Sequence, residues 1–321
     1  MKTLKLTGII CIIFCGLFMA SCSDDDSQPN NNTNPPTGEI RLFAIDTAKV
    51  NVMSRTGANE TTIINKMVNS NSYFSDLSVS PDGTMIAYTN YQASGSPTNS
   101  HVREVRVANI DGTNDHMVYF EDNPMMSLGK VRFCSDNKIF FVVSTPFPDV
   151  TRSLKVVNAD GTGLQNISGQ YDVTDVSDNR KYYLVASQAS NSVTIIDKDG
   201  DGGAGGLYHN VSFTQAQEFR DGVFSNDGSV AVIPFKEGNT IKARVVDMAA
   251  KTHEDMTLIS GLGSGWTIYQ LEMAADNKHG VVTVTGQDYT KSKSYVFNIE
   301  NQAVDTPFEN NDENVYSVYI H

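Results

Sequence analysis

The stretch FSDLSVSPDGTMIAY, residues 74–88, decides the fold. An alternating apolar run leads into a Ser-Pro-Asp-Gly turn, and a second apolar run leads out of it. Period-two alternation on both sides of an Asp-Gly turn predicts two antiparallel strands joined by a tight bend, because both turn residues tolerate positive φ.

Relatives of this turn stand at CSDNK (134–138), VSDNR (176–180), SNDGS (225–229) and AADNK (274–278). The aspartates at 82, 136, 178, 227 and 276 are spaced by 54, 42, 49 and 49 residues. Between them runs a second series: NIDGTN around Asp111, NADGTG around Asp160, DKDGDG around Asp199, DMAAKT around Ala249 and IENQA around Asn301. Each follows a strand-like run such as EVRVANI or SLKVVNA. Each period therefore holds four strands: a before the first turn, b after it, c before the second turn and d beyond.

A four-stranded unit repeated at this period cannot bury both faces by itself, and radial packing into a β-propeller solves that problem. Residues 39–321 hold six blades of about 47 residues each. The first unit supplies only EIRLFAID, KVNVMSRTG and TTIINK, which are strands b, c and d. At the far end NVYSVYIH, residues 314–321, alternates like a lone strand a. The expected fold is all-β, a six-bladed propeller of four-stranded antiparallel blades. Its C-terminal strand completes the first blade, which removes an exposed sheet edge.

LSVSPDGTMIAYTN followed by VRVANIDGTN resembles the WD40-like repeat of TolB-type propellers, found in envelope and surface proteins of Gram-negative bacteria. The resemblance extends over nearly all of 39–321 and is clearest at 76–120. TolB proper carries an α/β domain ahead of its propeller, where this chain has a linker.

The chain opens MKTLKLTGIICIIFCGLFMASC, with Lys2 and Lys5 ahead of an apolar or small-residue run over 8–20. That run falls short of the roughly 20 residues a membrane span needs. Residues 1–21 read as a secretory signal. Met19-Ala20-Ser21-Cys22 resembles the lipobox of bacterial lipoproteins, with Met19 where Leu is usual; this implies lipidation of Cys22 as the first mature residue. Residues 22–38, the acylated cysteine and SDDDSQPNNNTNPPTG, read as a flexible tether. Ser23-Asp24-Asp25-Asp26 resembles the acidic export signal of Bacteroidetes lipoproteins, which implies an outer-membrane lipoprotein exposed on the cell surface. The expected membrane contact is an anchor and not a span.

Losing Lys2 and Lys5 with the signal takes the formal charge from −13 to −15, which argues against nucleic acid as a partner. Cys11 and Cys15 also leave with the signal. With Cys22 committed to lipid, Cys134 has no intrachain disulfide partner and is expected to be a small buried residue at a strand end.

The a-b and c-d connections are mostly tight turns, whereas the b-c and d-a connections are longer and vary between blades. A ligand is expected on the long-loop face. Its candidate contacts are Trp266 and Tyr269 in SGLGSGWTIY, with Tyr91, Phe147, Tyr289 and Arg152. Aromatic rings there can stack on an apolar sugar or peptide face. Trp266 alternatively packs between blades five and six.

Asp197, Asp199 and Asp201 with Gly202 have the D-x-D-x-D-G spacing of calcium loops. The usual distal ligands are replaced by Gly205 and Tyr208, so calcium would need another acid; the alternative is an acidic turn with an insertion. Gly200, Gly202 and Gly205 match a dinucleotide fingerprint by pattern, but no βαβ unit surrounds them. The six histidines form no i, i+4 pair, and Ser264 lacks the G-x-S-x-G frame. These residues point to a binding protein or scaffold for a carbohydrate or protein partner. A propeller lyase or hydrolase assembled from distant blades and a periplasmic TolB-like interaction protein remain as alternatives.

Overall fold

In the computed structural model the described residues are 39–321 except 47–48, 66–73, 92–101, 124, 146–151, 168–172, 188, 201–205, 215, 217, 289–290 and 311–316. They form six small antiparallel sheets arranged as a ring, a six-bladed β-propeller. Blade one consists of Arg41–Asp46, Lys49–Ser54 and Thr61–Asn65, with Ser317–Ile320 added to the edge of its first strand. The pairing runs Leu42 to Ile320 and Ile45 to Ser317, so the two ends of the propeller share one sheet, as the lone C-terminal strand predicts.

The other blades follow in chain order. Blade two runs from strand a at Phe74–Val79 to strand d at His116–Phe120, and blade three from Ser127–Phe133 to Gln165–Asn166. Blade four runs from Val173–Val176 to Gly206–Ser212. In blade five strand a is split into Glu218–Phe219 and Val223–Phe224, and strand d is Thr252–Ile259. Blade six opens with Trp266–Met273 and ends with Ala303–Val304 and Phe308–Asn310, both paired with strand c.

Side chains that alternate along a strand point to opposite faces of its blade, and each face meets a different neighbour. Phe43 and Ile45 pack with blade two, while Leu42 and Ala44 pack with blade six. Six hydrophobic clusters result, one for each seam between adjacent blades. The middle strands are covered on both sides and are nearly all apolar, as in KIFFVVS of blade three, whereas the outer strand THEDMTLI of blade five is half exposed. Cys134 is fully buried in the seam between blades three and four, and burial pushes its thiol up to about 12.

Short polar side chains hold the tight turns. Asp82 accepts hydrogen bonds from the Thr84 amide (3.0 Å), the Thr84 hydroxyl (2.8 Å) and the Ser80 hydroxyl (2.7 Å). Asp227 does the same with Ser229 and Ser225. Blade four departs from the sequence alignment by one residue. There Asn179 accepts from the Lys181 amide and the Ser177 hydroxyl, and Arg180 takes the left-handed φ of +57° that Gly83 takes in blade two. Asp178 is left free to accept from the Ser135 amide of blade three. The connection at 235–239 also differs from the expected longer loop: strands b and c of blade five extend to Glu237 and restart at Thr240, leaving a two-residue hairpin.

Candidate ligand-binding mouth of the central channel

The a strands touch one another around the ring and line its axis. Four of them carry an irregularity near the long-loop end. Pairing shifts register between Phe74 and Asp76, between Leu128 and Val131, between Val173 and Asp175, and between Ile268 and Gln270. In blade five the break is larger, with 220–222 between the two halves of strand a. In blade one the described part of strand a, Ser317–Ile320, pairs in unbroken register. A bulge inserts a residue that the ladder does not hold and turns its side chain away from the seam. Here the inserted residues are Ser75, Gly129 with Lys130, Thr174, 220–222 and Tyr269, and all of them line one cavity of about 490 Å³ at the loop end of the channel. Gly222 is required at its position, because a Cβ there would lie 2.7 Å from Ile233 Cγ1 and 3.0 Å from the Val232 carbonyl oxygen.

A belt of charged side chains lies at the floor and just beneath it. Lys130 pairs with Glu272 across the channel, and Gln270 donates to the same carboxylate at 3.2 Å. Arg132 Nη1 donates to Asp175 Oδ2 at 2.6 Å, and that oxygen also accepts from the Phe224 amide at 2.8 Å. Asp76 ties three blades together: its Oδ2 accepts from the Val131 amide of blade three and its Oδ1 from the Tyr319 hydroxyl of blade one, both at 2.6 Å. Burial, only partly offset by Lys130 and reinforced by the Glu272 charge, pushes the Asp76 carboxyl up to about 6. Burial works against the Lys130 charge, but Glu272 and Asp76 hold its pKa above the usual lysine value. Beneath the belt the channel narrows to a cavity of about 50 Å³ that reaches His321 on the tight-turn side.

At the rim, Arg220 Nε donates to Glu218 at 2.9 Å and to the Ile268 carbonyl at 3.1 Å, joining blades five and six. Tyr269 is 41% exposed and is one of six large apolar or aromatic side chains in the described residues that stand out from the surface. A second cavity, about 390 Å³, lies beside blade five. Its charges are matched internally: Arg244 holds Asp255 with two 2.7 Å hydrogen bonds and stacks over Phe213 and Phe235, and Lys242 holds Glu237 at 2.6 Å.

Of the residues that the sequence singles out, Tyr269 lies on the channel mouth. Trp266 starts strand a of blade six and packs against the seam between blades five and six, with the Lys293 ammonium 5.4 Å from its ring and the Lys236 ammonium donating to its carbonyl at 2.5 Å. Arg152 starts strand c of blade three, half buried, opposite Ser144. Tyr91 ends strand b of blade two. Phe147, Tyr289, Cys22 and Asp201 lie outside the described residues. Asp197 accepts from the Asp199 amide at 3.0 Å and lies 3.7 Å from Lys181, and Asp199 pairs with Lys198 at 3.0 Å. Among the described residues no group of three or more His, Cys, Asp or Glu is placed to hold a metal ion.

The belt residues Asp76, Lys130, Arg132, Asp175 and Glu272 escape the loop-centred reading of the sequence. Their signal is nevertheless present: a charge interrupts the apolar alternation inside strand a of blades two, three, four and six, in FSDLSV, SLGKVRF, VTDV and WTIYQLEM.

No family model matches the chain, and comparison with curated proteins gives no match. Solved structures do resemble it. TolB from Acinetobacter baumannii superposes with a TM-score of 0.60 at 10% identity, over 88% of this chain and 66% of that one. A putative TolB from Agrobacterium tumefaciens gives 0.57 at 11%, over 88% and 97%. An oligogalacturonate lyase in complex with manganese gives 0.51 at 14%, over 80% and 73%. At these identities the likeness is one of fold: the chain shares the β-propeller fold of these structures.

Proposed function

We propose that this protein is a lipid-anchored binding protein, exposed on the outer membrane, that takes a carbohydrate or protein partner at the loop end of its channel. The observation that carries the reading is the run of strand irregularities in five successive blades, all opening onto one cavity beside the exposed Tyr269. Interrupted ladders weaken a sheet, and bulges gather where side chains are re-aimed for function. The signal at 1–21, the lipobox cysteine Cys22 and the acidic residues 24–26 support the location.

Two measurements test it. Impermeant biotin reagent applied to intact cells should label this protein and spare a periplasmic lipoprotein; equal protection of both would overturn surface exposure. Tyr269→Ala should weaken capture of the partner by full-length protein, while an alanine at Asp199 on the opposite, tight-turn side should not. Equal capture by both variants would remove the channel mouth from the assignment.

A further inference from the structure

We infer that the channel mouth accepts one uncharged, hydroxyl-rich sugar residue, inserted end-on. This rests on the binding reading above and adds the class of ligand.

Shape is the first argument. The mouth, at about 490 Å³, falls in the lower part of the usual range for ligand pockets, and the charged belt shuts it off from the 50 Å³ cavity beneath. A ligand can enter by its end but cannot thread through. Wall chemistry is the second. Ser75, Ser127 and Thr174 present hydroxyls and Gln270 an amide; Ser75 shares a hydrogen bond with Thr89, Thr174 donates to the Leu184 carbonyl and Gln270 to Glu272, which leaves oxygen lone pairs that can accept from a ring of sugar hydroxyls. Tyr269 stands on a bulge at the rim with its ring open to solvent, where it can lie against the C–H face of a pyranose.

Charge decides between sugar types. The mouth sets three carboxylates, Asp76, Asp221 and Glu272, against two cations, Lys130 and Arg220. Both cations are engaged: Lys130 by Glu272, and Arg220 by Glu218 and the Ile268 carbonyl. Beneath them Arg132 is held by Asp175 and the carbonyls of Phe224 and Ser225. A uronate or phosphate would lose water beside an excess of negative charge without gaining a partner. A cationic sugar finds the acids occupied as well, with Asp76 taken by Val131 and Tyr319, Glu272 by Lys130 and Gln270, and Asp221 engaged too. The Oδ1 of Asp175 has no hydrogen-bond partner among the described residues, but Asp175 lies outside the wall of the mouth.

The test is ligand-observed NMR titration of full-length protein in detergent micelles with methyl glycosides of glucose, galactose, mannose and N-acetylglucosamine, alongside galacturonate and glucosamine. At least one neutral glycoside should bind saturably, with a dissociation constant of about 1 mM or tighter. Tyr269→Ala should weaken it by about tenfold or more, and Tyr269→Phe by no more than about threefold. Galacturonate should show no saturation. Silence from all four neutral glycosides, preference for either charged sugar, or indifference to Tyr269→Ala would each overturn the inference. If the glycosides are silent while Tyr269→Ala still reduces capture of a surface protein, the sugar assignment fails and the binding reading stands. If that capture is unchanged too, both fail.

Discussion

The two ends of the channel are built from the same strands and behave differently. On the tight-turn side, neighbouring blades grip one another through their turns. The Ser135 amide donates to Asp178, Arg180 holds Asp136 at 2.7 Å, the Asp227 amide donates to Asn277 at 2.9 Å, and Arg55 holds Asp305 across the seam between blades one and six. On the loop side the ladders break and the side chains turn inward around a cavity. The belt of Asp76, Lys130, Arg132, Asp175 and Glu272 separates the two regimes. One end closes the ring, which leaves the other free to depart from regular pairing.

Acid-base behaviour follows the same division. Burial would raise Asp82, Asp136, Asp227 and Asp276, but hydrogen bonds from their turns, and from Arg180 and Lys138 for Asp136, hold all four below the usual aspartate value, Asp136 at about 2. Asp76 in the belt is moved the opposite way, to about 6.

The largest expected break in this comparison is Arg132→Met. It leaves Asp175 fully buried without its ion-pair partner and should cost about 3–5 kcal/mol in urea denaturation. Arg180→Gln removes a partly exposed pair on the turn side and should cost no more than about 1 kcal/mol. Similar losses for the two would erase the distinction between belt and turns.

Two glycines sharpen it next. Gly112, in the second turn of blade two, has φ of +82°, and a Cβ there would lie 1.9 Å from the Ile63 carbonyl oxygen of blade one. Gly238, in the loop-side hairpin of blade five, has φ of +58° with nothing within 4 Å. Gly238→Ala should cost about 1–2 kcal/mol of left-handed strain alone, and Gly112→Ala more than that because the blade contact must also shift. Equal melting temperatures for the two variants would deny that the turns hold adjacent blades together.

A smaller effect distinguishes the two kinds of aspartate by pH. Because the folded pKa of Asp76 is raised, its contribution is complete below the unfolded value of 3.8 and is lost as pH rises through about 6. The turn aspartates contribute above 3.8, and their share is lost as pH falls, for Asp136 toward about 2. Asp76→Asn should therefore flatten the decline in stability between about pH 4 and 6 while leaving the acid limb in place. An unchanged profile would contradict the assigned direction. The smallest effect belongs to Tyr269→Ala, which should alter stability by no more than about 0.5 kcal/mol, since the side chain stands exposed at the rim.

Much of the ring was legible because it is local. Ser80 to Thr84, with apolar runs on either side, defines a hairpin without reference to any other part of the chain, and its five copies together with the incomplete first unit give six blades. Even the closure was readable, since residues 314–321 alternate with no partner nearby while the first unit lacks one strand. The one-residue offset in blade four was hidden because Asp178 and Asn179 are both competent turn residues. Which of them caps the turn depends on the Ser135 amide of the preceding blade. Trp266 looked like a loop residue behind three glycines, yet strand a of blade six begins with it. The belt was the least legible part, because a single charge in a strand has no stated partner until the ring brings Lys130 to Glu272, 142 residues away.

By itself the sequence determined the repeat, the number of blades and the strand that closes them, because turn chemistry and period-two alternation act over a few residues. Only the tertiary structure decided where a ligand can sit. Five irregular strands from five blades become one cavity, and five charged side chains become one belt, only when the ring brings distant inner strands to a common axis.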